Sequence, residues 1–215
     1  MIRALNAGDF IYILAAARWT IALSIIAIGC GGLLGFGIML MRLSRSSVMR
    51  GVFLAYIQFF QATPLLMQLF LVFFGLPLLG VDVSPWLAAT VSLSLYASAY
   101  LGEIWRGCVD AIPLGQWDAS ASLGMRYLAQ LRLVILPQAL RMAVPPTVGF
   151  LVQLVKSTAL ASIIGYNELT KTGQILTNAT FQPFVIYSLV ALIYFAMCYP
   201  LTSYARSLEK RLSIA

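Results

Sequence analysis

The sequence predicts an all-α membrane protein with about five transmembrane helices. Three observations carry that expectation. Of 215 residues, 61% are hydrophobic and 10% are charged, whereas soluble domains carry about a quarter charged residues. Five apolar stretches come close to or exceed the ~20 residues that a spanning helix needs. The basic residues collect in alternate polar segments, as they do in multi-span proteins.

The first stretch is Trp19–Met41, crowded with Gly29, Gly31, Gly32, Gly35 and Gly37. Gly31 and Gly35 form a G-x-x-x-G pair, the spacing of close helix packing. A polar turn with Arg42, Arg45 and Arg50 follows. The second stretch, Val52–Leu79, is long enough to tilt or break, and Pro64 lies inside it. Proline frees the carbonyl four residues back, and broken helices line binding sites in transporters. Thr63 precedes the break, and Gln58, Gln61 and Gln68 share a helical face by spacing. Such glutamines either line a path or hydrogen-bond between helices.

The third stretch, Trp86–Gly102, offers Ser92, Tyr96 and Ser98, with Glu103 near its end placed to pair with Arg106. A polar, basic segment follows, QWDASASLGMRYLAQLRLVILPQ, patterned as a short amphipathic helix. The fourth stretch is Met142–Gly165. Lys156 stands about 14 residues into it, roughly 20 Å along. An ionisable residue at that depth is a functional candidate, although a lysine can also snorkel to the outer interface. Gln153, Lys156 and Ser157 fall on one face by i, i+3, i+4 spacing, with Thr158 beside them. The fifth stretch is Phe184–Tyr204, and the tail carries Arg206, Lys210 and Arg211.

Three polar regions therefore hold most of the basic residues: the Arg42–Arg50 turn, the segment with Arg106, Arg126, Arg132 and Arg141, and the tail. The positive-inside rule puts these in the cytoplasm, the N-terminus outside and the C-terminus inside. The opposite side receives the loop around Asp82 and the loop with Glu168 and Lys171. The net charge of +7 is thereby a matter of topology, with no nucleic acid implied. No polar stretch is long enough for a second domain, so residues 1–215 read as one transmembrane domain with a cytoplasmic loop at about 104–141. No cleavable signal peptide is expected at the start.

Several chemistries drop out. There is no histidine, which removes His-based acid–base chemistry and most metal sites. Cys30, Cys108 and Cys198 lie far apart without a C-x-x-C, so neither a disulfide framework nor a metal centre is expected. No span holds a carboxylate pair or a nucleophile–base arrangement, so there are no catalytic residues to name. No G-x-x-x-x-G-K-[ST] loop is present, so the chain is not expected to bind ATP. The polar segment Gln116–Gln138 still needs a reason. It either passes motion to a soluble partner or simply lies on the membrane surface.

Asp118-Ala119-Ser120, then Gly124, then Val134, Leu136 and Pro137 resemble the EAA loop of ABC-importer permeases. That pattern reads E-A-A, three residues, G, nine residues, I, one residue, L-P, and the spacing here has no gap. Asp replaces Glu, Ser the second Ala, and Val the Ile. QATPLLMQLFLVFFGLP resembles the R-G-T-P-L-L-x-Q segment of the polar amino acid permeases, with Gln61-Ala62 in place of Arg-Gly. YLGEIWRGCVDAIPLGQWDA, ILPQALRMAVPP and LVKSTALASIIGYNELT extend the likeness from about Trp19 onward.

The resemblance implies a type I ABC importer permease fold with a cytoplasmic coupling helix. Asp118, Ala119, Ser120, Gly124, Leu136 and Pro137 would form the ATPase-coupling element. Asp118 is expected near the helix start, Gly124 at a turn, and Pro137 where the helix stops. Thr63, Gln61, Tyr96, Ser98, Gln153, Lys156 and Ser157 are the substrate candidates. The family often has Asp after this lysine, and Ser157 in its place disfavours a cationic amino acid. The implied partners are a dimer of ATP-binding subunits holding ATP and Mg, a second permease (self or paralogue), an extracytoplasmic solute-binding protein, an amino acid substrate and the bilayer. The implied location is a bacterial plasma (inner) membrane. The alternative function is an ion-coupled secondary transporter or channel, which would need a coupling-ion site; intramembrane carboxylates are nearly absent.

Overall fold

The computed structural model describes residues 5–213, and the regular elements in that range are helical. Residues 1–4, and the side chain of Arg211 counted above with the basic tail, lie outside the described residues.

Helix α1 runs Ala7–Arg42 and starts well before Trp19. The early start has a local cause. Asn6 Oδ1 accepts from the Asp9 backbone N–H at 3.1 Å, and the Asp9 carboxylate accepts from the Asn6 N–H at 3.0 Å. This reciprocal box satisfies two of the orphan donors at the helix start. Helix α2, Ser47–Ala62, starts from Ser46 and ends where Thr63 is extended before Pro64, since a residue preceding proline avoids the helical region. Helix α3, Leu65–Leu78, leaves α2 at a bend of 102° and contains a π turn at Leu71–Gly75.

Helix α4 spans Pro85–Asp110, with Ser84 capping it and Pro85 in the first turn, where a missing N–H costs nothing. It outruns the expected Gly102 because Arg106 pairs with Glu103 at 2.6 Å and with Asp110 one turn on, ion pairs of the kind that support a helix. Helix α5, Leu114–Ser122, precedes the long α6, Tyr127–Ser162. A break with Gly165 at φ +88° leads to α7, Leu169–Thr180, and to α8, Pro183–Ser213.

Two expectations about α6 are corrected. It starts at Tyr127 rather than Met142, and Pro137 does not stop it. A π turn at Leu131–Ile135 lies just before the proline. The ladder changes register at that join, so the hydrogen bond that Pro137 cannot donate falls where the pattern is already interrupted.

Among the described residues, α1, α6 and α8 are long and apolar enough to cross a membrane, and α2–α3 adds a fourth crossing if the bent pair is one span. The remaining expected span, Trp86–Gly102, is α4. At 26 residues it is about 39 Å long, but it carries Ser92, Ser94, Tyr96 and Ser98 on buried positions. It is the centre of the bundle rather than a lipid-facing rod. Its Ala89, Leu93, Ala97 and Leu101 pack against Leu23 and Ala27 of α1, Leu65 and Leu69 of α3, and Phe150 and Leu154 of α6.

The G-x-x-x-G pair is the α1–α4 contact. A Cβ on Gly31 would lie 2.6 Å from Ala97 Cβ, and one on Gly35 would lie 3.0 Å from the Ser98 carbonyl oxygen. Close backbone approach of this kind is how helices associate in lipid. Large apolar side chains such as Ile25, Leu33, Leu192 and Phe195 point outward.

Candidate functional site

The polar interval between α4 and α6 folds into α5, nine residues long. A helix that short is marginal alone, so its neighbours hold it. The Trp117 ring stacks on Tyr127 at 5.9 Å with 14° between planes. The Tyr127 hydroxyl donates to the Leu43 carbonyl at 3.2 Å, and the Arg45 guanidinium lies over its ring at 5.3 Å. Gln138 donates to Gln116 Oε1 at 3.2 Å. Beneath them, Met39, Val109, Ile112, Leu131 and Ile135 form an apolar cluster that Leu136 joins from its edge.

The residues expected to form the coupling element distribute accordingly. Gly124 sits at φ +74°, a conformation that L side chains rarely adopt, and its N–H donates to the Ala121 carbonyl at 2.9 Å. Ser120 is buried and its hydroxyl donates to the Trp117 carbonyl at 2.9 Å. Asp118 and Ala119 are exposed, as is Pro137. The position of Asp118 is a correction: α5 begins at Leu114, so the carboxylate stands in the second turn and caps nothing. Leu114 and Leu123 are exposed at the two ends of α5.

The break between α2 and α3 is closed by a glutamine. Pro64 leaves the Phe60 carbonyl without its helical donor. Gln68 Nε2 donates to that oxygen at 3.0 Å, to the Thr63 carbonyl at 3.1 Å and to Thr63 Oγ1 at 2.8 Å. Thr63, Gln68 and Ser92 border a small, otherwise apolar cavity. The shared face expected for Gln58, Gln61 and Gln68 does not survive the bend. Gln58 and Gln61 stay exposed on α2, while Gln68 is buried.

Farther along the bundle, the substrate candidates separate into three environments. The Tyr96 ring packs tilted by 39° against Tyr100 at 4.5 Å, Tyr100 stacks on Phe150 at 5.4 Å, and Gln153 Nε2 donates to the Tyr96 hydroxyl at 3.5 Å. Ser98 points elsewhere: its hydroxyl meets the Tyr56 hydroxyl at 2.7 Å. Ser157 Oγ donates to the Gln153 carbonyl at 2.9 Å. Lys156 is exposed and borders a groove on α8 with Tyr194, Cys198, Thr202 and Arg206. The expected single stripe of Gln153 and Lys156 is therefore split, the first facing α4 and the second α8. Three residues of helix turn a side chain through about 300°, which leaves room for two neighbours.

Sequence reasoning missed the role of Glu168, placed above in an outer loop. It is fully buried. Its carboxylate accepts from the Lys171 N–H at 2.8 Å, the Tyr194 hydroxyl at 2.8 Å and the Thr20 hydroxyl at 3.4 Å. Thr20 Oγ1 in turn accepts from the Leu169 N–H at 3.2 Å. One carboxylate thus caps α7 and ties it to α1 and α8. The signal was available: an acidic residue three before Lys171 and just ahead of the periodic LTKTGQIL run marks a helix start.

The family described as binding-protein-dependent transport system inner membrane component matches residues 28–214. A probable amino-acid ABC transporter permease protein, YckA of Bacillus subtilis (strain 168), is 35% identical over 203 residues, covering 94% of this chain and 90% of that one. The L-cystine transport system permease protein TcyB of the same organism is 36% identical over 195 residues, covering 90% and 83%. A crystal structure of an amino acid ABC transporter with histidines superposes with a TM-score of 0.90 at 30% identity, covering 97% of this chain and 100% of that one. These matches give the ion-coupled alternative no support.

Proposed function

This chain belongs to the family of binding-protein-dependent transport system inner membrane components, and from that premise we propose that it carries polar amino acids or close relatives of them by alternating access. It is a multi-pass inner-membrane permease subunit of an ABC importer, in a family whose ATPase activity resides on a separate subunit. In this reading residues 1–215 act as one permease domain, with the N-terminus outside and the C-terminus in the cytoplasm. A dimer of ATP-binding subunits holds the ATP and Mg, a second permease copy or paralogue completes the pathway, and a solute-binding protein delivers substrate.

The observation that carries this reading is α5. It is braced from behind by Trp117–Tyr127 and Gln116–Gln138 and presents Asp118, Ala119, Leu114 and Leu123 outward. A rigidly backed helix with exposed apolar ends suits a groove on a soluble partner. ATP binding would draw the ATPase subunits together, move α5, and through Tyr127 move α6, which carries Gln153, Lys156 and Ser157. The amino acid names of the relatives support the substrate class. Tyr96, Gln153 and Thr63 then serve the pathway wall, and Lys156 is a ligand for the substrate carboxylate. Gln61 and Ser98 are assigned lesser roles, at the pathway edge and in holding α2 to α4 through Tyr56.

The test is reconstitution in vesicles with the ATPase and binding-protein partners, using a panel of labelled glutamine, glutamate, cystine and arginine. ATP-dependent uptake that disappears in Gly124→Glu is the expected result. Uptake driven by an ion gradient without ATP refutes the importer reading. Preference for arginine would overturn the argument from Ser157.

A further inference from the structure

Beside α5, on the end of the bundle where the α1–α2 turn lies, a groove opens between that turn and the start of α6. Arg45 and Arg126 stand on its rim, Leu40, Leu128 and Leu131 line it, and Tyr127 forms one wall. No carboxylate lines this groove, and among the described residues neither arginine has an acidic partner. Arg45 rests on the Tyr127 ring instead. The apolar lining continues onto the outward face of α1, where Leu33, Leu34, Phe36 and Leu40 are exposed.

We propose that this groove binds an anionic phospholipid, its phosphate between Arg45 and Arg126 and an acyl chain along Leu40, Leu128 and Leu131. The chemistry is specific to a lipid in two respects. Two guanidiniums without carboxylates select a phosphate, which accepts paired N–H donors. An apolar trough that runs on into the lipid-facing side of a spanning helix selects a molecule with a chain attached. Basic pockets at the end of spanning helices are where anionic headgroups collect. A soluble partner would meet the same arginines without needing the trough.

The groove is also mechanically placed. Tyr127 belongs at once to its wall, to the stack with Trp117 of α5 and to the hydrogen bond with Leu43. A bound headgroup draws Arg45 and Arg126 together across Tyr127 and stiffens the mount of α5. The site's lipid binding stands apart from the importer reading. Its effect on ATP turnover rests on that reading.

The test uses the whole transporter, purified with its ATPase subunits, and the double variant Arg45→Gln/Arg126→Gln. Retained lipid is counted by native mass spectrometry after exchange into detergent with phosphatidylglycerol or phosphatidylcholine. A basic residue at an anionic surface contributes about fivefold to binding, so the double variant is expected to retain phosphatidylglycerol about 25-fold more weakly. ATPase activity of the native complex in phosphatidylglycerol nanodiscs should exceed that in phosphatidylcholine, and in the variant the ratio of the two rates should fall to about one. Equal retention of the two lipids by the native complex, or undiminished phosphatidylglycerol on the variant, overturns the proposal. Loss of the ATPase subunits from the variant in both lipids also overturns it, and assigns the arginines to protein docking.

Discussion

Trp117 of α5 and Tyr127 of α6 lie face to face, ring centroids 5.9 Å apart and planes within 14°. The stack joins a helix too short to stand alone to a helix of 36 residues. Trp117→Ala removes the stack, about 1 kcal/mol beyond the lost area, and thins the cluster of Met39, Val109 and Leu131 on which Trp117 packs, while the central core around Leu93, Ala97 and Leu154 has no part in it. Transport per ATP hydrolysed should fall several-fold while the yield and melting temperature of the purified chain stay close to native. Unchanged coupling would show that α5 needs no stacked brace.

The α1–α4 contact separates two glycines that look alike in sequence. Gly31→Ala pushes a methyl to within 2.6 Å of Ala97 Cβ and should cost about 1–3 kcal/mol as overpacking. Gly29→Ala meets nothing within 4 Å and should be neutral or gain up to about 1 kcal/mol from reduced unfolded-state freedom. Thermal unfolding of both variants in the same detergent reads the difference. Equal shifts would mean that the contact is not close-packed.

Glu168→Ala leaves the Tyr194 and Thr20 hydroxyls and the Lys171 N–H without their acceptor. Each buried orphan costs about 1–3 kcal/mol, so this variant should be strongly destabilised. Glu168→Gln keeps an acceptor oxygen and should lose less. Tyr194→Phe removes the hydroxyl's bonds to Glu168 and Thr170, costing about 1 kcal/mol each. The expected order of melting temperatures is native, Tyr194→Phe, Glu168→Gln, Glu168→Ala, and a native-like Glu168→Ala would sink the account of this carboxylate.

Gln68→Leu strips the Phe60 and Thr63 carbonyls of their side-chain donor and should destabilise the chain by about 1–3 kcal/mol. Gln61→Leu, on the exposed face of α2, should leave stability within about 0.5 kcal/mol. Any effect of Gln61→Leu on uptake, measured beside that unchanged melting curve, would then report on the transport path. A destabilisation by Gln61→Leu equal to that by Gln68→Leu would contradict the bend at Pro64.

Composition and hydropathy made the membrane class and the apolar segments legible, because burial in lipid leaves no other place for such stretches. Helix ends were less legible. The start of α1 depends on a two-residue box at Asn6 and Asp9, and the extension of α4 depends on ion pairs of Arg106, neither of which a hydropathy window weighs. Pro137 misled because a proline is read as a stop, whereas a π turn just before it lets the helix run on. The glutamine face misled for the opposite reason: helical spacing was carried across Pro64, where the chain turns by 102°. Spacing located α5 and Gly124. What braces α5 was invisible, since Trp117, Tyr127, Leu43 and Arg45 come from three segments that meet only when folded.

The π turn at Leu131–Ile135 has a consequence for how this chain tolerates changes in length. A π turn holds one residue more than the α turn it replaces, and one residue corresponds to roughly 100° of rotation about the axis. It stores a spare residue between the Tyr127 end of α6 and the part embedded in the core. Deleting a single residue there would return the helix to regular pitch with Tyr127 and Gln138 still in phase, whereas deleting one from the regular helix beside it would swing Tyr127 roughly 100° away from Trp117. A one-residue insertion close by would restore the phase, so compensating insertions and deletions should appear as paired genetic suppressors around this single turn.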